Sequence, residues 1–391
     1  MWLLFAAAGF FGTLTNAGLP FTLAGKQLNA FDAVFATLIV TLTVSRQWRS
    51  PDVPLVAGCA LWVLTAFAAL GAHPSANGAH EVLVLAYSLT VFLLASHMSV
   101  SHEEARRAIG ASAVATVALA WLILPLENIL QQDIGENTSR ALPAGLHRLG
   151  GLTGGNPLAL VLAMAAPLSS AGALALLGVL ASGFATFSRS IIGIGTAWLV
   201  QSLQPKKRAE PALRLRTALA VIAVASGLLV YAFSPAANGS PASPISSFGL
   251  RAGGYPVLHA AAVRMTIAHP FTGIGPGRFG DELRNFTTLE SLATLPGVPG
   301  AIAWDPHGAV TGLAAEQGLP GLIAFVALIA ITLQRLKLAA DEGARWRSFA
   351  ALSGLLTAGL FLDWFALKAP WLWLGLLVSA ARGDRLNPGR A

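Results

Sequence analysis

Apolar segments of about 20 residues recur along nearly the whole of this 391-residue chain, and a helix of that length just crosses the hydrocarbon core of a bilayer. Hydrophobic residues make up 55% of the chain and charged residues only 11%. Soluble domains average roughly 25% charged residues. The pattern therefore predicts an all-α integral membrane protein.

About twelve segments are apolar enough to be transmembrane helices. They centre on 2–24, 29–45, 54–72, 81–99, 106–127, 156–169, 171–187, 189–204, 217–233, 311–334, 348–366 and 369–381. Residues 1–233 are predicted to form an N-terminal group of about nine helices that includes an outer loop at 128–155. Residues 234–310 form a large, partly helical loop domain. Residues 311–391 form about three C-terminal helices and a cytoplasmic tail.

The Lys and Arg residues indicate how the chain is threaded, because they accumulate in cytoplasmic loops. With the N-terminus inside and twelve spans, most of the 25 Lys and Arg residues fall in inner loops, including the runs QPKKRAEPALRLR and RLKLAADEGARWR. Both long loops, 128–155 and 234–310, then face outward. The apolar N-terminus has no basic segment before it and is predicted to be an uncleaved first span.

Several classes of function are disfavoured by the same residues. The net charge of +7 is spread over short loops, whereas a nucleic-acid-binding domain carries a basic patch. The single cysteine, Cys59, can form no intrachain disulfide and no thiolate cluster. No HExxH motif or cysteine cluster suggests a metal, so we predict neither a metal site nor a cofactor.

The outward-facing basic residues are mostly arginines. Arg189, in ATFSRSIIGIG, lies between two apolar runs with almost no loop to hold it. Arg264 lies midway along PVLHAAAVRMTIAH, which is predicted to be a short helix at the membrane surface, with Pro256 in its first turn. Because the guanidinium group binds phosphate oxygens in a bidentate fashion, these residues predict an anionic ligand such as a phosphorylated lipid.

A glycine-rich segment, HPFTGIGPGRF at 269–279, follows the surface helix. A dinucleotide-binding fingerprint must follow a strand and open a βαβ helix, which this outer loop does not do. Two interpretations remain: an anion cradle made by the backbone and Arg278, or a purely structural turn.

His307, in WDPHGAVTGLAAEQGLPGLIAF, lies where the outer loop meets the next span. An imidazole there is suited to accept a proton from a sugar hydroxyl near neutral pH. Asp305 is a candidate to orient it, and Glu316 is an ionisable residue close to or inside the span. His147 and Arg148, in AGLHRLGGLTGGNP, are candidate substrate contacts in the first outer loop.

Three segments together resemble the O-antigen ligase and polymerase superfamily of bacterial envelope proteins, over roughly residues 145–330, and most closely its ligases. They are the FSRS sequence ending at Ser190, the R-x4-HPFTGIGPGRF stretch beginning at Arg264, and the block that begins at His307. The ligases show His, then Asn, Ser or Gln, then nine residues, then GxxG. Here the spacing from His307 to GLPG holds, but Gly308 departs from the pattern.

The resemblance implies a GT-C-like glycosyltransferase of the bacterial inner membrane with a periplasmic active site. Such ligases transfer polysaccharide from undecaprenyl diphosphate to a sugar of lipid A–core, with inversion and without a metal. By position, Arg189 and Arg264, with Arg278, would bind the diphosphate, and His307 would activate the acceptor hydroxyl. Candidate acceptor or headgroup contacts are His147, Arg148, Asp305 and Glu316.

Three other functions stay open. A polymerase of the same superfamily would extend the polymer on its lipid carrier, and a protein O-oligosaccharyltransferase would pass it to protein. A flippase or other transporter of lipid-linked sugars belongs to a different class. Transporters tend to have inverted repeats and charges near the membrane midplane, whereas here the ionisable residues cluster at the outer ends of the predicted spans.

Overall fold

The computed structural model describes residues 1–14, 18–23, 26–130, 149, 152, 155–168, 173–186, 188–204, 211–235, 250–252, 254–288, 306 and 308–386. The helices are α1 (Trp2–Thr13), α2 (Ala30–Val44), α3 (Val53–Ala72), α4 (Ala76–His97), α5 (His102–Leu130), α6 (Gly155–Ala165), α7 (Ala173–Ala185), α8 (Ile191–Ser202), α9 (Pro211–Ala232), α10 (Gly254–Ala268), α11 (Phe279–Glu282), α12 (Ala309–Leu336), α13 (Glu342–Ala358) and α14 (Lys368–Leu386). Short strands form two antiparallel pairs, β1 (Gly18–Leu23) with β2 (Lys26–Asn29) and β3 (Phe233–Pro235) with β4 (Leu250–Ala252).

Four helices in the described part of the chain are long and apolar enough to cross a membrane: α3, α4, α5 over His102–Leu126, and α12. Other apolar helices are shorter, and α1 and α8 have 12 residues each. A helix of that size is about 18 Å long, against about 30 Å for a hydrocarbon core. The predicted all-α membrane class is therefore confirmed, whereas twelve complete crossings stay a prediction.

The first apolar segment differs from its prediction. The helix expected over 2–24 ends at Thr13, and the β1–β2 hairpin follows. Gly18 and Pro20 explain the change, because glycine weakens a helix and proline has no N–H to donate. The hydroxyl groups of Thr13 and Thr116 lie 2.9 Å apart, which holds the end of α1 against α5.

Aromatic side chains join the N-terminal and C-terminal helices. The ring of Trp62 in α3 lies 5.1 Å from Phe325 in α12, 5.0 Å from Phe365 and 6.0 Å from Trp371 in α14. Trp62 and Trp371 are fully buried. Such tilted and edge-on ring contacts are favourable beyond the area that they bury. The helices of 1–233 and 311–391 therefore pack into one body.

An ion-pair network holds one end of this body together. Asp52, which caps α3, accepts hydrogen bonds from Nε and Nη2 of Arg335 at 2.6 and 3.0 Å, and Nε of Arg382 lies 3.5 Å away. The Asp52 backbone N–H donates to His97 Nε2 at 2.8 Å. Asp52 thereby ties together the ends of α3, α4, α12 and α14, through its carboxylate and its backbone N–H.

A second, smaller core lies at the opposite end of α12. The sequence predicts a helix at PVLHAAAVRMTIAH, and α10 (Gly254–Ala268) confirms it. Its buried face packs against the glycine-rich loop and the first turns of α12. The core residues are Leu258, Ala261, Ala262, Met265, Ile274, Phe279, Leu283 and Ala315.

Candidate functional site

Helix α12 is broken at Gly318, where φ is 68° and ψ is −170°. Two residues later, Pro320 has no N–H and cannot complete the helical hydrogen bond to the carbonyl of Glu316. The N–H of Leu319 is also turned away from the carbonyl of Ala315 and donates elsewhere. In a span, carbonyls left unpaired in this way cost several kcal/mol each unless other donors reach them.

The glycine-rich loop at 269–279 supplies those donors. Three backbone hydrogen bonds join the loop to the break: Ile274 N–H to Ala315 O at 2.9 Å, Gly275 N–H to Glu316 O at 3.1 Å, and Leu319 N–H to Pro270 O at 2.8 Å. The loop therefore completes the hydrogen bonding of the broken helix. The GxGxG spacing, which invites comparison with nucleotide loops, is explained by this contact.

The glycines are needed for the fit. Gly273, Gly275 and Gly277 have φ values of 61°, 98° and 66°, a region that side chains disfavour. A Cβ atom at Gly273 would lie 2.3 Å from the backbone carbon of Glu316. One at Gly318 would lie 2.8 Å from the carbonyl oxygen of Pro270. These contacts support the structural turn that the sequence left as one of two interpretations.

The carboxylate of Glu316 is bound by the same loop. Its Oε1 accepts a hydrogen bond from the Phe279 N–H at 3.2 Å, and the backbone of Gly277 also hydrogen-bonds to it. The side chain is half-buried and interacts electrostatically with Asp363 and Glu81. The group that the loop's backbone binds in this structure is therefore the protein's own Glu316 side chain.

Two predicted diphosphate ligands lie on the smaller core. Arg278 Nη2 forms an ion pair with Glu282 Oε1 at 2.7 Å, and the side chains are 29% and 22% exposed. Arg264 is exposed on α10, and its Nη1 donates to the carbonyl of Phe286 at 2.9 Å. Both guanidinium groups are thus oriented by the segment that begins at Arg278 and ends at Phe286.

Arg189 differs from these two in its burial. Only 7% of it is exposed, and it precedes α8 in a turn with the buried residues Ser188 and Ser190. Its carbonyl accepts the N–H of Ile192 at 3.0 Å, which starts the helix. The sequence predicts an arginine that is costly to place, and the structure puts it inside the protein rather than at the lipid surface.

The turn after α13 brings the start of α8 and the start of α12 together. Ser190 Oγ donates to the carbonyl of Ala358 at 3.4 Å, and the Ala309 N–H donates to the carbonyl of Gly359 at 2.8 Å. A Cβ atom on Gly308 would lie 2.8 Å from the carbonyl oxygen of Leu360 and 3.0 Å from His259 Nε2. The residue next to Arg189 and the residue after His307 therefore contact the same turn.

The first segment of α12, Ala309–Gln317, connects both groups of residues. Ala309 binds the turn beside Arg189, and Glu316 binds the loop that carries Arg278. Seven residues of helix separate these two anchors, a rise of about 10 Å. The segment thus contacts the turn next to Ser190 at one end and the loop that carries Arg278 at the other.

An apolar groove of about 280 Å³ runs between α12 and α13. Its lining includes Val310, Phe325, Val326, Ile329, Leu356 and Thr357. Leu360, whose carbonyl faces Gly308, also lines it, so the groove reaches the turn beside Arg189. Its apolar lining suits an aliphatic chain.

Four predicted site residues, His147, Arg148, Asp305 and His307, lie outside the described residues. Sequence reasoning missed two features of the described part. His259 was not proposed as a site residue, although it stands on α10 one turn from the start of the predicted surface helix. The turn 358–360 carries only main-chain groups at the site, and such groups give no signal in a sequence.

Within the described ranges, no three His, Cys, Asp or Glu side chains form a group suited to a metal ion. No protein-family model matches the chain, and no curated protein matches it significantly.

Proposed function

We propose that this protein is a membrane glycosyltransferase of the O-antigen ligase type. It would transfer polysaccharide from undecaprenyl diphosphate to a sugar hydroxyl of lipid A–core, at the periplasmic face of the bacterial inner membrane. The observation that carries the proposal is the position of Arg189. This buried arginine precedes Ser190, which contacts the turn 358–360. Gly308, the neighbour of His307 in the chain, lies against the same turn.

Buried arginine suits a diphosphate leaving group. In a site shielded from water, a fixed positive charge stabilises charge that develops on the leaving oxygen far better than it does in solution. Arg264 and Arg278 lie on the adjoining core and would add further donors. Together they would neutralise the diphosphate electrostatically, without a divalent metal.

The reaction requires one proton acceptor. The acceptor hydroxyl oxygen forms a bond to the anomeric carbon, while the bond from that carbon to the diphosphate oxygen breaks. The diphosphate leaves with the bonding electron pair, and the imidazole of His307 takes the hydroxyl proton. A positioned general base of this kind contributes roughly 10²–10⁴-fold to the rate.

The groove between α12 and α13 supports a lipid-linked donor. An isoprenoid chain lying along Phe325 and Ile329 would place its diphosphate near Leu360, beside the turn that contacts Ser190. The acceptor would approach from the side of the loop at 269–279. The smaller core over this region would limit the access of water and so limit hydrolysis of the donor.

The decisive experiment expresses His307→Ala and Arg189→Ala proteins in a ligase-null strain and examines lipopolysaccharide on gels. We expect wild-type protein to restore polymer-capped lipopolysaccharide and both variants, inserted at normal levels, to fail. Arg347→Ala is the matched control, because this arginine pairs with Asp341 near the start of α13, about 16 Å of helix from the turn 358–360. Capping by His307→Ala protein would contradict the proposed mechanism.

The same gels separate the alternatives. A polymerase would restore long polymer in a polymerase-null strain and not in the ligase-null strain. A protein O-oligosaccharyltransferase would restore glycoprotein and leave lipopolysaccharide unchanged. A flippase would instead support counter-flow of labelled lipid-linked sugar in liposomes.

A further inference from the structure

The carboxyl group of Glu316 is an ionisable group that the proposed mechanism does not use. It lies on α12 two residues before the break at Gly318, and it accepts backbone hydrogen bonds from both sides of Arg278, at Gly277 and Phe279. A carboxyl group that accepts hydrogen bonds from two backbone N–H groups fixes the local backbone, because removing the acceptor leaves those donors without a partner.

A short path leads from this carboxylate to Arg264. Phe279, whose N–H binds Glu316, is the first residue of α11. Four residues after α11 ends, the carbonyl of Phe286 accepts the hydrogen bond from Arg264 Nη1. Phe279 is fully buried in the smaller core, and Phe286 packs against that core. The segment 279–286 is therefore fixed at its start by Glu316, and its end orients Arg264.

We infer that Glu316 is a positioning residue: its carboxylate fixes the loop at Gly277 and Phe279 and, through the segment 279–286, sets the position of the Arg264 guanidinium. This inference rests on the proposed function for the role of Arg264. It excludes two other roles for Glu316. The carboxylate does not bind the acceptor sugar, and it does not exchange a proton in the reaction.

Conservative replacement distinguishes these roles. Glu316→Gln keeps a side-chain oxygen that accepts one backbone N–H, whereas Glu316→Ala removes the acceptor. We expect Glu316→Gln to keep activity within a few-fold of wild type and Glu316→Ala to lose about tenfold or more, seen mainly as a higher KM for the diphosphate donor. Asp281→Asn, an exposed carboxylate on α11, is the matched control and should behave as wild type.

A double-mutant cycle tests the path to Arg264. If Glu316 acts through Arg264, then adding Glu316→Ala to Arg264→Ala should cost much less than it does in the wild-type background. Fully additive losses would overturn the inference. So would a Glu316→Gln protein that is as inactive as Glu316→Ala although both proteins are folded and inserted, because that outcome assigns chemistry to the carboxyl group.

Amide hydrogen exchange tests the contact without any enzyme assay. The N–H groups of Gly277 and Phe279 should exchange faster in Glu316→Ala, and faster to a smaller extent in Glu316→Gln, but not in Asp281→Asn. Unchanged exchange at both amides would overturn the inference. A wild-type protein without transferase activity, combined with the expected exchange pattern, would reject the proposed function and leave the Glu316 contact established. If the Glu316→Ala protein does not insert in the membrane, amide exchange at Gly277 and Phe279 in Glu316→Gln alone tests the inference.

Discussion

Asp52 and Arg335 form a two-point ion pair that joins the start of α3 to the last turn of α12, residues that lie 283 positions apart in the chain. Asp52 is 6% exposed. Burial by itself would raise the pKa of Asp52, but the hydrogen bonds from Arg335 and Leu55 and the charges of Arg335 and Arg382 bring it below its ordinary value.

This lowered pKa predicts acid sensitivity. A depressed carboxyl pKa contributes stability that is present above the unfolded-state pKa, near 3.9, and lost as pH falls through the folded-state value. We expect Asp52→Asn to lower stability by about 2 kcal/mol at pH 7. The difference from wild type should shrink below about pH 4. Thermal unfolding in detergent at pH 7 and below about pH 4 measures the stability difference between Asp52→Asn and wild type, with Asp281→Asn as the control. An equal loss at both pH values would contradict it.

The break in α12 predicts a strong preference for glycine at position 318. Gly318→Ala places a Cβ atom 2.8 Å from the Pro270 carbonyl in a backbone conformation that other residues avoid. We expect a loss of about 2 kcal/mol or more in unfolding free energy. Gly71→Ala in α3 is the control, because a Cβ atom there meets nothing within 4 Å. Equal stability of the two variants would show that the loop does not hold the break.

The groove predicts a specific defect in donor binding. Val326 is 55% exposed and lines the groove, so Val326→Trp should fill part of it. We expect a higher KM for a long-chain diphosphate donor and little change for a short-chain analogue. Val221→Trp, at a 57% exposed position of α9, is the control. The same KM change for both chain lengths would place the lipid elsewhere.

A polar contact between two helices predicts a measurable loss of stability. The Tyr87 hydroxyl in α4 donates to Asp32 Oδ1 at 2.5 Å, and Lys368 Nζ lies 5.9 Å from the Tyr87 ring. Tyr87→Phe removes one hydrogen bond to a carboxylate, which should cost about 1.5–3 kcal/mol. Thr90→Val on the same helix removes only a bond to its own turn and should cost less. Chemical unfolding of both variants gives the comparison.

Much of the helical framework was predictable from the sequence. Long apolar segments such as the one around Trp62 form helices in a membrane, because a helix satisfies its own backbone hydrogen bonds. Each of the twelve predicted segments contains a helix. The end of α1 at Thr13 was not predicted, because a hydropathy window averages over single residues such as Pro20. The cost of burying Arg189 also gave a usable signal, since its neighbours on both sides are apolar.

The contacts that build the site were harder to predict from the sequence. Ser190 and Ala358 meet across 168 positions, through a hydroxyl and a main-chain carbonyl. Nothing in either residue type specifies the other. Similarly, the sequence identified Glu316 as ionisable near a span and identified the glycine-rich loop, but it did not show that one binds the other. That contact depends on the helix break, which turns two carbonyls toward the loop.

Trp62 contacts α12 on both sides of the break at Gly318. Its indole N–H donates to Gln317 Oε1 at 3.2 Å just before Gly318, and its ring packs on Phe325 two turns beyond. The parts of α12 before and after Gly318 therefore contact the same buried side chain of α3, although the helix backbone is interrupted between them. A swing of the segment Ala309–Gln317 alone would break the hydrogen bond from Trp62 to Gln317, so this contact couples the segment to α3.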